Sequence, residues 1–294
     1  MRVCSGGQMP EPLVVIVGPT ASGKTALALH IAQKYNGEII CVDSRTIYKG
    51  MDIGTAKPNN KDKTVVPHHL LDIADPTEQI NVASFTTLAK DKINDIAKQG
   101  KLPIVVGGSG LYIDALIYNF DFAVKANEDQ RQLLQKLTVP QMQNILKQKG
   151  IDLPFNKNNP RHLIRYIETC GHMGTRREFR PNTIVIGLNI NNSDLKHSIS
   201  KRTEQMFKEG LEAEVSGLAK RYGWDSILSS TIGYQEFILY FKGECSLEDV
   251  KQAIISATNR LVKRQNTWFK RSKEIHWVNK VAEVDALLTT FLNK

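Results

Sequence analysis

A short apolar segment that leads into a glycine-rich loop and then a helix constrains the fold of this chain more than any other feature. Leu13–Val17 has the composition of a buried strand, and Ala26–Tyr35 has helical spacing. Between them, Gly18–Thr25 has the sequence GPTASGKT, which matches the G-x-x-x-x-G-K-[ST] pattern of phosphate-binding loops. The preceding strand and the following helix are the context that this pattern requires. The segment therefore predicts a cradle for a diphosphate or triphosphate group and does not specify ATP.

The phosphate loop, residues 18–25, has chemistry suited to a polyanion. Its glycines let backbone N–H groups turn toward a phosphate, and the start of the following helix adds partial positive charge. Lys24 supplies a full positive charge, and the Thr25 hydroxyl can reach a metal ion or a phosphate oxygen. The residues predicted to bind the diphosphate or triphosphate group are Gly18, Pro19, Thr20, Ala21, Ser22, Gly23, Lys24 and Thr25.

Strands and helices continue to alternate along the chain. Glu38–Val42, Leu102–Val106 and Thr183–Leu188 are apolar segments of strand length. Val82–Gln99 has helical spacing. Since strands that alternate with helices form parallel sheets, we predict an α/β fold with a P-loop NTPase-like parallel sheet flanked by helices.

The composition of the chain changes twice along its length. Residues 1–121 are predicted to form the first part of the P-loop core, and residues 122–159 a small helical insertion, or lid, interrupted at Pro140. Residues 160–294 are predicted to return to the core and to end in a helix-rich part. This part includes one long predicted helix over residues 194–221.

Charge, hydropathy and cysteine content indicate which class of partner the chain binds and where in the cell it is located. The 294 residues include 39 Lys and Arg against 30 Asp and Glu, a net charge of +9. This balance favours a polyanionic partner such as nucleic acid, although many proteins are mildly basic without binding one. The apolar runs are far shorter than the roughly 18 residues that span a bilayer, and the N-terminal segment lacks the apolar core of a signal peptide. The four cysteines are scattered without a C-x-x-C pair, so they do not indicate a disulfide framework, and we expect a cytoplasmic protein. Because the apolar runs are short, we expect no membrane partner.

Polar residues follow two of the predicted strands. Asp43 follows the second strand, and Ser109 lies in the Gly107–Gly110 segment after the third. Ligands of open α/β sheets bind beyond the carboxyl ends of the strands, and the second strand usually neighbours the first, so we expect Asp43 close to the phosphate loop. The alternative is a loop aspartate that caps the next turn. The third strand ends without the metal-binding aspartate of P-loop NTPases, which favours a reaction other than ATP hydrolysis.

A basic and aromatic tract, residues 260–273, contains six Lys or Arg residues and no acidic residue. On a helix, Arg264 and Trp268 share one face because they are four residues apart. Such a face is suited to RNA binding, because its cations can contact phosphates and Trp268 can stack on a base. The alternative is a helix whose basic face is solvated and whose Trp268 packs in the core. Arg161 and Arg165 form a second basic pair. Two separated basic tracts fit a cleft for a polyanion.

Several short motifs occur together in one order. Besides the phosphate loop and Asp43-Ser44 with Tyr48, they are Met51–Pro58, His68–Asp72, Gly107–Tyr112, Gly233-Tyr234, Lys263–Gln265 and Thr267–Phe269. From about residue 13 to residue 278, the chain resembles the bacterial tRNA dimethylallyltransferases. The resemblance implies transfer of a dimethylallyl group from dimethylallyl diphosphate to N6 of adenosine 37 of tRNA, with Mg²⁺ and loss of diphosphate. It implies that the phosphate loop holds this diphosphate rather than ATP.

The resemblance also implies roles for individual residues. Asp43 matches the family's general base, and Ser109 is expected to form hydrogen bonds near it. Lys24 and Arg202 are expected to neutralise the leaving diphosphate, and Thr25 to act with Mg²⁺. We expect a monomer whose partners are a prenyl diphosphate and a tRNA anticodon stem-loop. The residues implied to face the RNA are Asp43, Ser44, Arg45, Thr46, Ser109, Arg131, Arg161, Arg165, Gly233, Tyr234, Gln235, Lys263, Arg264, Gln265, Trp268 and Lys270.

Other interpretations remain open from the residues alone. A P-loop small-molecule or nucleotide kinase would turn over ATP. A non-catalytic RNA-binding module would need neither Lys24 nor Asp43. Adenylate isopentenyltransferase has a similar phosphate-loop half but acts on a free nucleotide, which needs no long basic cleft. The chain also departs from the family pattern in its short insertion, about residues 127–159, and in Lys270, where arginine is common.

Overall fold

The computed structural model describes residues 10–122, 127–172 and 174–293. Over these residues, six strands form one sheet in which all neighbours are parallel. The strands are β1 (Leu13–Val17), β2 (Gly37–Cys41), β3 (His68–His69), β4 (Leu102–Gly107), β5 (Thr183–Leu188) and β6 (Ile275–Val278). Their order across the sheet is β3-β2-β4-β1-β5-β6.

Helices connect the strands. They are α1 (Lys24–Lys34), α2 (Asn60–Val65), α3 (Val82–Lys98), α4 (Gly110–Ile117), α5 (Glu128–Gln135), α6 (Val139–Gln148), α7 (Pro160–Glu168), α8 (Asn192–Lys208), α9 (Leu211–Tyr222), α10 (Phe237–Phe241), α11 (Leu247–Phe269) and α12 (Val281–Leu292). This alternation around a parallel sheet confirms the predicted α/β, P-loop-like fold. Within the described ranges, no helix combines the length and apolar character needed to cross a membrane.

The centre of the sheet is buried. All residues of β1 are completely enclosed, and β2 is buried along its whole length. Leu27, Ala28 and Ile31 of α1 pack in the same core, together with Val284 and Leu288 of α12. Because a parallel sheet is covered on both faces, the central strand β1 is apolar at every position rather than at alternate ones, and β2 contains one charged residue, Glu38.

The position of β2 in the sheet differs from the prediction. We expected β2 to neighbour β1, but β4 lies between them: Val17 pairs with Gly107, and Cys41 pairs with Val106. A Cβ at Gly107 would lie 2.0 Å from Val42 O, so glycine permits the close approach of β4 to the end of β2. The expectation was wrong because a strand's place in the sheet depends on the long connections around it, which leave no local pattern. The carboxyl ends of β1, β4 and β2 nevertheless meet at one edge.

Tyr118–Phe179 form a compact unit of their own, which we call the helical unit. Its helices α5, α6 and α7 pack around a core that includes Leu134, Leu146 and Leu163. The unit is larger than the predicted insertion of residues 122–159. It contains α7, whereas the sequence predicts that residues 160–294 belong to the returning core.

Two helix boundaries correct the sequence prediction. Pro140 does not interrupt a helix but lies in the first turn of α6, where no intrahelical N–H bond is lost. Thr138 and Gln141 form a capping box at the same helix start. The predicted helix over residues 194–221 is two helices, α8 and α9, because Gly210 between them adopts φ 98°. A glycine in this left-handed conformation ends a helix at little cost.

Candidate active site

The phosphate loop leaves β1 and enters α1. Gly18 and Gly23 have φ 148° and 83°, conformations that a side chain would strain. Lys24, the first residue of α1, folds over the loop, and its Nζ donates to Pro19 O at 2.5 Å and to Ser22 Oγ at 3.5 Å. The loop therefore closes around an ammonium group, as a site for a polyanion requires.

Two further loops end at the same sheet edge. One follows β2, and the other, the glycine loop of residues 107–110, follows β4. Ser109 Oγ accepts the Ser44 N–H at 3.2 Å, which ties the two loops together. Asp43 Oδ1 accepts the Arg45 N–H at 2.8 Å, so the carboxylate is oriented by its own turn. The structure thus places Asp43 and Ser109 on neighbouring strand ends.

A second cation, Arg202 of α8, reaches the phosphate loop. Its Nη1 donates to Thr20 Oγ1 at 3.0 Å. Burial lowers the pKa of Lys24 to about 8, while Asp43 raises this pKa and Arg202 lowers it. Burial likewise lowers the pKa of Arg202, and Asp43 raises it. Lys24, Arg202 and Asp43 therefore interact electrostatically around the loop. The two cations can stabilise a bound polyanion, and the carboxylate can accept a proton.

A cavity of about 660 Å³ opens beside Arg202. Its lining includes the carboxylates Asp52 and Glu209 together with apolar and basic side chains, among them Ile53, Ala56, Met206, Lys63, Lys201 and Arg202. A cavity of this size is typical of small-molecule sites. Apolar walls beside cations suit a ligand with a short hydrocarbon and an anionic group.

A carboxylate that the sequence analysis missed holds one wall of this cavity. Glu214 Oε2 accepts the Asp52 N–H at 3.1 Å and the Ile53 N–H at 2.8 Å. Its Oε1 accepts the Gly54 N–H at 3.1 Å and the Tyr234 hydroxyl at 2.6 Å. Glu214 and Gly54 are 160 residues apart along the chain, so no local sequence pattern marks this clamp.

The residues around Gly233, which the resemblance placed at the RNA, differ in exposure. Tyr234 is fully buried, and its ring lies so close to Gly54 that no side chain fits there. The Tyr234 side chain therefore has no surface for RNA and packs inside the fold instead. Gly233 is also buried, and its N–H donates to a carboxylate oxygen of Glu236 at 2.8 Å. Gln235 is half-buried and donates to the other oxygen at 3.1 Å.

The residues that follow Asp43 are only partly accessible. Ser44 and Arg45 are half-buried, and Arg45 Nη2 donates to Ser230 O at 3.3 Å. Thr46 is buried, and its hydroxyl has no hydrogen-bond partner within the described part of the chain. Ser44 and Arg45 can therefore contact a ligand beside Asp43, whereas the Thr46 side chain is too buried to do so.

The predicted RNA-binding tract lies on α11 and just beyond it, and its residues face different ways. All six of its Lys and Arg residues are exposed, among them Lys263, Arg264 and Lys270. Trp268 is 36% exposed, and its indole covers Gly110. Gln265 is only 9% exposed and points inward, where its amide is hydrogen-bonded to the phosphate loop and to the glycine loop.

Three further arginines that the resemblance placed at the RNA belong to the helical unit. Arg131 and Arg165 both bind the buried carboxylate of Glu168, with N···O distances of 2.8 and 3.2 Å. Arg161 is exposed in the first turn of α7. Arg131 and Arg165 thus belong to an internal ion-pair cluster, whereas Arg161 faces solvent.

The site has few protein oxygens for a metal. Across the described ranges, no group of three or more His, Cys, Asp or Glu side chains could hold a metal ion. Mg²⁺ that binds with a phosphate substrate needs only one or two protein oxygens, the others coming from phosphate and water. Thr25 is exposed at the start of α1, and the Asp43 carboxylate interacts electrostatically with Lys24 of the same loop. These oxygens fit a hydrated Mg²⁺ held chiefly by a bound diphosphate.

Comparisons with known proteins lead to one family. The model of the IPP transferase family matches residues 46–272. The tRNA dimethylallyltransferases of Bacillus pumilus (strain SAFR-032) and Bacillus subtilis (strain 168) are 39% and 36% identical, over 91% and 94% of this chain and 89% and 93% of theirs. The crystal structure of the full-length tRNA isopentenylpyrophosphate transferase from Bacillus halodurans has a TM-score of 0.76 and 36% identity, over 97% of both chains. By sequence and by fold, this chain belongs to the IPP transferase family.

Proposed function

We propose that this chain transfers the dimethylallyl group of dimethylallyl diphosphate to N6 of adenosine 37 in tRNA and releases diphosphate. The observation that carries the proposal is the meeting of the phosphate loop, two cations and the Asp43 carboxylate at one edge of the sheet. The family and the names of its members support the same reaction. The protein is proposed to act as a monomer in the cytoplasm.

Donor binding is assigned to the phosphate loop and the adjacent cavity. The diphosphate lies on the N–H groups of the loop between Lys24 and Arg202, and the dimethylallyl chain lies along the apolar side of the cavity. The same contacts stabilise the charge that develops as the bond between the allylic carbon and the diphosphate oxygen breaks. Thr25 would hold Mg²⁺, which when bound supplies further positive charge to the leaving diphosphate.

Asp43 is assigned as the base. An exocyclic adenine amine is a weak nucleophile, so a carboxylate that accepts its proton lowers the barrier. N6 forms a bond to the allylic carbon, the bond from that carbon to the diphosphate breaks, and the N6 proton passes to Asp43. Ser109, which is tied to the Asp43 turn through Ser44 N–H, is assigned as a hydrogen-bond partner of the adenine.

The RNA is assigned to the exposed basic side chains, and the target adenine is flipped out of its stack to reach Asp43. On α11, the exposed Lys263 and Arg264 are assigned to phosphate contacts, and the exposed part of Trp268 is assigned to stacking on a base. Arg161 is the corresponding exposed cation of the helical unit.

The competing function is a P-loop kinase, which the end of β4 disfavours because it leads into the glycine loop without a carboxylate. The two functions are separated by supplying purified protein, Mg²⁺ and an anticodon stem-loop with either labelled dimethylallyl diphosphate or labelled ATP. We expect label from the allylic diphosphate on the RNA and no phosphate release from ATP. ATP turnover without prenyl transfer would overturn the proposal in favour of a kinase.

Diphosphate affinity is expected to fall as the pH rises above about 8. The pKa of Lys24 is about 8 because burial disfavours its charged form, and only the ammonium form attracts diphosphate. The ammonium is present below this pH, and above it the dissociation constant for inorganic diphosphate should rise by up to about tenfold per pH unit. Calorimetric titration of the wild type and of Lys24→Arg measures this, since arginine keeps its charge and the ligand's own ionisation is common to both. Parallel profiles for the two proteins would contradict the assignment.

Arg264 is expected to contact an RNA phosphate through its exposed guanidinium. Arg264→Ala should weaken stem-loop binding and reduce the slope of log affinity against log salt concentration by about one. Binding titrations at several salt concentrations measure the slope. Lys220→Ala removes an exposed cation from α9 and is the matched control, with no expected change of slope. If Arg264→Ala leaves the slope unchanged, this side chain does not contact the RNA.

A further inference from the structure

A buried glutamine of α11 joins the two loops that flank the proposed reaction. Gln265 Oε1 accepts the Thr20 N–H at 2.9 Å, and its Nε2 donates to Gly108 O at 2.9 Å. Thr20 belongs to the phosphate loop, and Gly108 belongs to the glycine loop. One side-chain amide therefore satisfies a backbone donor of one loop and a backbone acceptor of the other.

Tight packing around this amide leaves it little freedom. A Cβ at Gly108 would lie 2.4 Å from Gln265 Nε2, and a Cβ at Gly110 would lie 2.4 Å from the Trp268 ring. These are distances at which the side chains or the backbone would have to move. Ser109 lies between the two glycines, so α11 packs directly against the backbone on both sides of Ser109.

Thr20 is held from two sides. Gln265 binds its backbone N–H, and Arg202 Nη1 donates to its hydroxyl at 3.0 Å. The position of this threonine therefore depends on α11 and α8 together. Since Thr20 lies within the phosphate loop, these bonds determine where the loop presents its N–H groups.

We propose that Gln265 is a positioning residue for the transfer step. It sets the distance between the phosphate loop, which holds the allylic diphosphate, and the glycine loop, whose Ser109 is tied to the Asp43 turn. This inference rests on the proposed function. It assigns Gln265 a role different from that of its exposed neighbours Lys263 and Arg264, because Gln265 acts on the transfer rate and not on RNA affinity.

Gln265→Met tests the role because it removes both hydrogen bonds with little change of volume. We expect a loss of roughly 100-fold in the single-turnover rate at saturating substrates, the order that a displacement of about 1 Å causes. The dissociation constant of the stem-loop and its salt slope should stay at the wild-type values. Gln252→Met, at an exposed glutamine of the same helix, is the matched control and should change none of these quantities.

Gln265→Glu provides a second readout that does not depend on tolerance of methionine. An ionised carboxylate still accepts the Thr20 N–H but repels Gly108 O, whereas the protonated carboxyl donates to it again. We therefore expect the rate of Gln265→Glu, relative to wild type, to recover as the pH falls from about 8 to about 6. A relative rate that is flat with pH would overturn the inference.

Other outcomes are also decisive. If Gln265→Met weakens stem-loop binding and keeps the saturated rate, Gln265 is an RNA contact and the inference is overturned. If the wild type itself transfers no dimethylallyl group, the proposed function fails, and binding of inorganic diphosphate then tests the Thr20 contact alone. In that case we expect weaker diphosphate binding by Gln265→Met than by Gln252→Met, and equal binding would overturn the inference.

Discussion

Asp43→Asn should lower the single-turnover rate of dimethylallyl transfer by about 10²- to 10⁴-fold, the contribution typical of a general base. Asp43 Oδ1 accepts the Arg45 N–H at 2.8 Å, and the asparagine oxygen can keep this bond. The turn then keeps its geometry while the basic carboxylate is lost. Rapid-quench experiments with labelled dimethylallyl diphosphate and a saturating stem-loop measure this rate.

The same variant should still bind both substrates. Asp43 raises the pKa of Lys24, so the affinities are compared at about pH 6, well below the Lys24 pKa of about 8, where the ammonium stays charged without it. Loss of the carboxylate then only removes a negative charge beside Lys24 and Arg202. Asp95→Asn, at an exposed aspartate of α3, is the matched control and should keep both the rate and the affinities. A normal transfer rate with weakened RNA binding in Asp43→Asn would contradict the assignment of Asp43 as the base.

Glu214→Gln should lower the free energy of unfolding by about 2–4 kcal/mol, although the side chain keeps its shape. Glu214 Oε2 accepts two backbone N–H groups, and Oε1 accepts a third together with the Tyr234 hydroxyl. A glutamine has only one accepting oxygen, so its NH₂ group must face hydrogen-bond donors at the other position. Each partly buried donor left unpaired costs about 1–3 kcal/mol.

Urea unfolding measures this loss, provided that the slope of the free energy of unfolding against urea concentration is the same for the variant and the wild type. Glu212→Gln on the same helix is the matched control, because Glu212 accepts one hydrogen bond, from the Tyr240 hydroxyl at 2.9 Å, which a glutamine oxygen can also accept. We expect this control to stay within about 0.5 kcal/mol of wild type. Equal stability of Glu214→Gln and Glu212→Gln would mean that Glu214 does not hold its loop.

Local patterns predicted the elements of the fold better than their arrangement. Leu13–Val17 and Thr183–Leu188 were predicted to the residue because uninterrupted apolar runs mark strands that are covered on both faces. The position of β4 between β1 and β2 was not predicted, because the sequence of a strand does not indicate which strands it pairs with. The sequence contains a signal for the division of α8 from α9, because a glycine such as Gly210 often ends a helix, and in the structure it adopts φ 98°. Helical periodicity on both sides of Gly210 obscured this signal.

The candidate site shows the same contrast. The phosphate loop, Asp43 and Ser109 could be located from sequence because each directly follows a strand whose end lies at the sheet edge. Gln265 and Arg264 are adjacent in one basic tract, and only tertiary packing makes one buried and the other exposed. Glu214 could not be found because its hydrogen-bond partners are distant along the chain.

One measurement tests the proposed reaction most directly: the chemical identity and position of the modified nucleoside. Purified protein is incubated with Mg²⁺, dimethylallyl diphosphate and unmodified tRNA, and the RNA is digested and analysed by mass spectrometry. We expect N6-dimethylallyladenosine at position 37, with one diphosphate released for each group transferred. Unchanged tRNA, a group attached elsewhere, or prenylation of a free adenine nucleotide in its place would contradict the proposal.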